Sequence, residues 1–136
     1  MKHSAVSLVV SAVCMSMTCG GDDARAADVN GVWVSDAAVC QKVFEKRGNR
    51  VSFANGSDAY GSGFIIDGSQ IRGRIATCNI KARRDQGDVV NIIAVCSTDI
   101  AIDTMQFRLR FEGPDKIIRE FSGMPEVEMK YERCSM

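Results

Sequence analysis

Residues 77–97 read TCNIKARRDQGDVVNIIAVCS, two runs of residues around the polar turn Asp85-Gln86-Gly87-Asp88. The second run is rich in β-branched residues, and a short turn containing Gly between two such runs predicts a β-hairpin. With the turn centred on Gly87, the register predicts that Lys81 and Arg83 share one face of the hairpin. Three apolar pairs are predicted on the other face: Cys78 with Cys96, Ile80 with Ala94, and Ala82 with Ile92.

Strands are predicted on both sides of this hairpin. Residues 102–111 alternate between apolar and polar side chains, which is typical of a half-buried antiparallel strand. The turn at Asp67-Gly68 predicts a second hairpin. A bulge or a bend at Gly73 is needed there, because the inward residues change from odd positions before it to even positions after it. The remaining predicted strands are 29–34, 51–53, 63–66, 70–75, 116–121 and 127–134.

One sizeable helix is predicted after the first strand. Ser35 or Asp36 is a suitable N-cap, and Gly48 is a suitable terminator. The apolar residues on one helical face are Val39, Cys40, Val43 and Phe44. The chain is therefore predicted to be all-β, a small antiparallel meander that closes into a barrel or a curled sheet, with this single N-terminal helix.

Residues 1–26 have the features of a secretion signal peptide. A polar start is followed by an apolar run over 4–18 that is too short to span a bilayer, and Ala24-Arg25-Ala26 matches a cleavage site. The alternative is a lipid anchor at Cys19, which Gly-Gly-Asp-Asp follows. Residues 27–136 are then expected to form one domain, which is periplasmic or secreted.

Four cysteines remain in residues 27–136, and an oxidising compartment favours disulfides between them. The hairpin register places Cys78 opposite Cys96. Cys134 points away from the core side of its own strand, so the helix residue Cys40 is its expected partner among the three possible connectivities. The spacings contain no Cys-x-x-Cys pair, which argues against a zinc site.

Composition excludes several kinds of chemistry. The chain has 17 Lys and Arg against 17 Asp and Glu, and this balance gives no electrostatic reason to expect a nucleic-acid partner. The single histidine, His3, lies in the signal, so the domain has neither a Ser-His-Asp arrangement nor the commonest nitrogen ligand for a metal. We therefore expect no metal, no cofactor and no membrane span. The carboxylates that remain for acid–base chemistry are Asp99, Asp103, Glu126, Glu128 and Glu132.

Gly31-Val32-Trp33, at the start of the first predicted strand, resembles the Gly-x-Trp opening of the lipocalin and calycin barrels. That resemblance implies that a late arginine packs across the tryptophan, and Arg133 is the candidate. The chain also resembles small exported proteins of alpha-proteobacteria that have no assigned activity, most visibly in Gly31-Val32-Trp33, Tyr60-Gly61-Ser62-Gly63-Phe64 and Tyr131-Glu132-Arg133-Cys134. The second resemblance implies a periplasmic setting and no particular activity.

Three classes of function stay open from the sequence. The first is a non-enzymatic periplasmic binding or interaction module of small lipocalin-like barrel type, which takes either a small apolar ligand in the barrel mouth or an envelope protein. The alternative is a proteinaceous inhibitor of an exported hydrolase, and a carboxylate-based enzyme is the third. An open apolar cavity would favour ligand binding, whereas a filled barrel with one ordered, protruding loop would favour the inhibitor. The residues expected to line either a ligand site or the core are Trp33, Phe64, Phe107, Phe111 and Tyr131.

Seven basic side chains are candidates for a patch on the outer wall that contacts an anionic envelope component. The other interpretation of these residues is a solvated exterior in which they alternate with acids. The seven are Arg72, Arg74, Lys81, Arg83, Arg84, Arg108 and Arg110.

Overall fold

The structure is a computed structural model that describes residues 26–136. The predicted signal peptide and the alternative lipid anchor at Cys19 lie outside these residues, apart from Ala26. Eight antiparallel strands close into a barrel, which confirms the predicted fold class. No helix among the described residues is long and apolar enough to cross a membrane.

Residues 26–136 form ten strands, and eight of them make up the barrel. Around its wall, the first strand pairs with the last and with the fourth, and each of the others pairs with its neighbours in sequence. The strands are β1 Gly31–Val34, β2 Phe44–Arg47, β3 Arg50–Phe53, β4 Gly63–Asp67, β5 Gln70–Arg72, β6 Thr77–Gln86, β7 Val89–Ser97, β8 Ile102–Phe111, β9 Lys116–Phe121 and β10 Met124–Arg133.

The β6–β7 hairpin keeps the predicted register in its first half only. Cys78 pairs with Cys96 and Ile80 with Ala94, but an irregularity between Ile80 and Ala82 shifts the rest by one residue. The predicted pair of Ala82 with Ile92 is therefore wrong, and Ala82 pairs with the half-exposed Ile93 on the outer wall. Arg83 instead faces Ile92, so it does not share the outer face with Lys81. A bulge of this kind absorbs one extra residue and exchanges the two faces beyond it.

The helix is much shorter than predicted. Asp36 accepts a hydrogen bond from the Ala38 amide and caps a 3-10 turn over Ala37–Val39, and the α-helix, α1, covers only Cys40–Val43. Phe44–Arg47 form strand β2, which pairs with β3 through a two-residue turn at Gly48 and Asn49. The prediction of a helix up to Gly48 is wrong because Phe44 is buried equally well by a strand that packs on the barrel wall.

The α1 helix and the β2–β3 hairpin cover the outside of the barrel over β1 and β4. A second apolar cluster forms there, separate from the barrel interior. Its buried members are Val32, Val34, Val43, Phe44, Ile65 and Cys134. The Cys40–Cys134 disulfide ties the helix to the end of β10, and the Cys78–Cys96 disulfide joins β6 to β7, so both predicted bridges are confirmed.

The alternation of the meander gives the barrel two distinct ends. One end carries the β4–β5, β6–β7 and β8–β9 turns together with residues 27–30, and Asn30 accepts a hydrogen bond from the Gly68 amide there at 2.9 Å. The other end carries the β5–β6, β7–β8 and β9–β10 connections, in which Gly73 donates to Ala76 across the bend that the sequence predicts. We call the end with residues 27–30 the closed end, and the end with the β5–β6, β7–β8 and β9–β10 connections the open end.

Candidate functional site

The closed end is sealed by the side chain of Arg133. Its guanidinium carbon lies 4.2 Å from the centroid of the Trp33 ring, which is the contact expected for this pair. Trp33 is fully buried, donates from its indole nitrogen to the Val29 carbonyl at 3.0 Å, and meets Phe111 edge-on. The hydrogen-bond acceptors of Arg133 are the carbonyls of Asp28, Asn30 and Pro114 and the carboxylate of Asp115.

The open end contains a cavity of about 170 Å³ within the barrel. Apolar side chains make up most of its wall, and Met105, which is 38% exposed, lies at its outer edge. A cavity of about 150 Å³ is large enough to hold benzene, so this space suits a ligand of similar size. The residues around it are Gly63, Phe64, Ile66, Ile71, Gly73, Ala76, Cys78, Met105, Phe107, Leu109, Arg119 and Tyr131.

Arg119 is the one charged residue in that wall. It points inward because β9 alternates, with Ile117 buried in the core two positions before it. Its guanidinium carbon lies 4.7 Å from the ring centroids of both Phe107 and Phe121. Its Nε atom is buried and has no hydrogen-bond partner among residues 26–136.

Burial lowers the pKa of Arg119 from its ordinary value, because desolvation disfavours the charged form. Tyr131 opposes part of this shift, and no carboxylate contributes to it. An arginine side chain stays protonated in proteins at neutral pH. The open end therefore holds a positive charge that no acidic side chain of the described residues neutralises.

Tyr131 contributes a second polar group to the cavity. Its ring is buried and meets Phe64 at 4.9 Å between centroids. Its hydroxyl donates to the thioether sulfur of Met129 at 3.6 Å. A thioether is a weak acceptor, so this hydroxyl is free to exchange it for a better partner.

The five aromatic residues expected at a site or in the core divide between the two ends. Phe64, Phe107 and Tyr131 line the cavity at the open end. Trp33 and Phe111 pack against each other in the core near Arg133 and do not reach the cavity. Arg119 was not predicted as a site residue, although the alternation of Ile117, Arg119 and Phe121 along one strand face is a signal for it in the sequence.

Several of the predicted outer arginines have acidic partners. Glu120 accepts a hydrogen bond from Arg108 at 2.6 Å and another from Arg110 at 2.7 Å. These two bonds hold the pKa of Glu120 below its ordinary value of 4.5. Arg83 pairs with Asp85, and Arg74 lies 3.5 Å from Asp58. This pairing favours the interpretation of a solvated exterior over an anion-binding patch.

Residues 26–136 bring no three His, Cys, Asp or Glu side chains into a group that could hold a metal ion. Comparison of the chain with protein-family profiles, with curated proteins and with solved structures finds no match. The barrel and its cavity must therefore be interpreted from their own chemistry.

Proposed function

We propose that this protein is a non-enzymatic periplasmic binding module of lipocalin-like type that takes a small apolar ligand in the open end of its barrel. The observation that supports the proposal is the cavity of about 170 Å³, which is bounded mainly by aliphatic and aromatic side chains. Concave apolar sites with a few polar groups are the usual form of small-molecule sites. Export and the periplasmic setting belong to the proposal, and the two disulfides support them.

The contrast between the two ends supports a ligand site over a filled core. The closed half is packed by Trp33 and Phe111, and Arg133 seals it. The open half has the same barrel wall but leaves space between Phe64, Phe107 and Tyr131. A core built only for stability leaves few voids larger than a water molecule, so the space at one end is a feature of the site.

The segment before β4 is ordered, as an inhibitory loop would also be, but it is tied to the barrel wall. Arg74 donates to the Gly61 carbonyl at 3.3 Å and also bonds to the hydroxyl of the buried Ser57. The exposed ring of Tyr60 lies 5.2 Å from the amine of Lys42, on the covering helix. Because this segment packs on its own domain and the cavity is open, the geometry favours ligand binding over inhibition of an exported hydrolase.

The test is an NMR titration of the purified, oxidised protein with 1-hexanol and with toluene. We expect saturable shifts of the amide signals of Phe107, Leu109 and Tyr131, whose side chains line the cavity. Ala76→Phe places a large ring in the cavity wall and should abolish these shifts. Ala82→Phe makes the same change on the exposed outer wall and should leave them intact.

Two results would contradict the proposal. The first is the absence of saturable binding for both compounds in the unmodified protein. The second is binding that survives in Ala76→Phe, since the ligand would then occupy a different place. A circular dichroism spectrum of each variant controls for loss of the fold.

A further inference from the structure

We infer that the open end selects small amphiphilic carboxylates, with Arg119 as the anion-binding group and Tyr131 as a second donor. The inference rests on the proposed ligand-binding function and names the class of ligand. It depends on the observation that a guanidinium lies in the wall of an apolar cavity without an acidic partner.

Arg119 carries a positive charge that lacks a counterion among the described residues. Arg119 is half-buried with its Nε enclosed, and taking a cation out of water without a counterion is costly, so a protein normally pairs it. The salt bridges formed by residues 26–136 involve other arginines and Lys116 and do not include Arg119. A bound anion would supply the missing counterion.

Two aromatic rings hold the guanidinium of Arg119 in place. Phe107 and Phe121 each lie 4.7 Å from its central carbon, so the rings hold the group by cation–π contact. Aromatic contact with the faces of a guanidinium leaves its N–H groups in the guanidinium plane available for hydrogen bonds, and the Tyr131 hydroxyl lies beside them while Nε has no partner. An arginine held in this way is already oriented for a bidentate carboxylate, which reduces the entropy lost on binding.

The hydroxyl of Tyr131 is the second hydrogen-bond donor at the open end. Tyr131 and Met129 lie on β10, where Met129 is directly opposite Arg119 on β9. The Tyr131 hydroxyl now donates to the Met129 sulfur, a weak acceptor. A carboxylate bound to Arg119 is a much stronger acceptor, and the hydroxyl gains by turning to it.

The volume of the cavity and the single charge in its wall limit the size and the charge of the ligand. A volume of about 170 Å³ accommodates a ring or a chain of about six carbons, and its wall is apolar beyond Arg119 and Tyr131. One guanidinium balances one negative charge, which suits a carboxylate. A phosphate carries up to about two negative charges and needs more donors than this wall offers.

The experiment measures the dissociation constants of hexanoate and of 1-hexanol by NMR titration at neutral pH. We expect hexanoate to bind at least about tenfold more tightly than the alcohol, because charge-assisted hydrogen bonds exceed neutral ones. In Arg119→Met that preference should be lost while hexanol binding is retained. Tyr131→Phe should weaken hexanoate binding by a smaller factor and leave hexanol binding unchanged.

The matched control is Arg84→Met, which removes one positive charge from the exposed outer wall. It should keep the preference for hexanoate, and Arg119→Gln provides a second variant if Arg119→Met folds poorly. Equal binding of hexanoate and hexanol to the unmodified protein would overturn the inference and leave the proposed function in place. Failure of both compounds to bind would overturn the proposed function and the inference with it.

Discussion

The two ends of the barrel each contain an arginine that lies against aromatic rings, and the two arginines are paired very differently. Arg133 at the closed end has three carbonyls and one carboxylate as acceptors and packs on Trp33. Arg119 at the open end packs on Phe107 and Phe121, but its buried Nε has no partner among the described residues. The first arginine is bonded within the fold, and the lack of a partner for the second supports the proposal that it binds a ligand.

The surroundings of the two arginines differ in the same way. At the closed end, Trp33 is fully buried and meets Phe111 edge-on, and the cleft beside Arg133 is open to solvent. At the open end, Phe64 and Tyr131 are in contact but border the cavity. Proteins often give up some stability where a site must stay available to a ligand, and the open end fits that pattern.

The largest effect that tests this comparison concerns the disulfides, one near each end. Cys134 directly follows Arg133, and its bridge to Cys40 spans 94 residues, whereas the Cys78–Cys96 bridge at the open end spans 18. In the chain-entropy picture, replacing the first pair by alanine should cost about 4 to 5 kcal/mol and the second about 3 kcal/mol. Urea unfolding of the two double variants measures both losses, and an equal or reversed order would contradict the stronger anchoring of the closed end.

The next effect concerns the two arginines themselves. Arg133→Met removes several hydrogen bonds and the contact with Trp33, so we expect it to lower the free energy of unfolding by about 3 kcal/mol. Arg119→Met removes a half-buried charge whose Nε has no partner, so its effect should stay within about 1 kcal/mol and favour the folded state. Both values come from urea unfolding under identical conditions. A loss in Arg119→Met as large as that in Arg133→Met would show that Arg119 stabilises the fold.

The smallest expected effect on stability concerns Glu120, which follows Arg119 on β9 and lies on the outer wall of the barrel. Glu120 has a lowered pKa because Arg110 and Arg108 donate to it, so its stabilising effect is present at neutral pH and is lost as the pH falls through that lowered value. Glu120→Gln should therefore destabilise the protein by about 0.5 to 1 kcal/mol at pH 7. The difference from the unmodified protein should shrink as the pH is lowered below 4.5.

Stability curves of both proteins between pH 3 and about pH 7 measure this change. Glu45→Gln is the control, since Glu45 forms an exposed pair with Arg47 on the outer hairpin. A difference between Glu120→Gln and the unmodified protein that persists unchanged at low pH would show that the ion pairs with Arg108 and Arg110 are not its source.

The strands and the disulfides were predictable from the sequence because their signals are local. The alternation of residues 102–111 gave the bounds of β8 correctly, and the register near Cys78 and Cys96 was correct. The bulge beyond Ile80 was not predictable, since Ala82 and Arg83 are both acceptable on either face of an exposed strand end. Turn composition alone does not reveal where a strand absorbs an extra residue.

The outer hairpin was missed because two patterns compete in the same residues. Val43 and Phe44 are adjacent apolar residues, which fit one face of a helix. In the structure they are the last residue of α1 and the first of β2, and both are buried against the barrel. Gly48-Asn49 is a hairpin signal of its own, with Gly48 at a φ of 62°, and the prediction gave it too little weight.

The site itself required the structure. Alternation along β9 places Arg119 inward, but only the packing shows that Phe107 from β8 and Phe121 contact it and that its Nε has no partner among residues 26–136. Hydrophobic pattern predicts which face of a strand is buried and does not predict which buried group remains unpaired. That is decided by contacts between strands distant in sequence.

The Cys40–Cys134 bridge and the pairing of β1 with β10 are contacts between segments that are far apart in sequence. Both join segments at opposite ends of the described domain, whereas β6 and β7 are joined by two residues and one bridge. Closing a long loop costs more entropy than closing a short one, so the β6–β7 hairpin is expected to form first. The barrel closes only when β10 pairs with β1. Until then, the edge of β1 that faces β10 has unpaired backbone groups, and such an edge promotes aggregation.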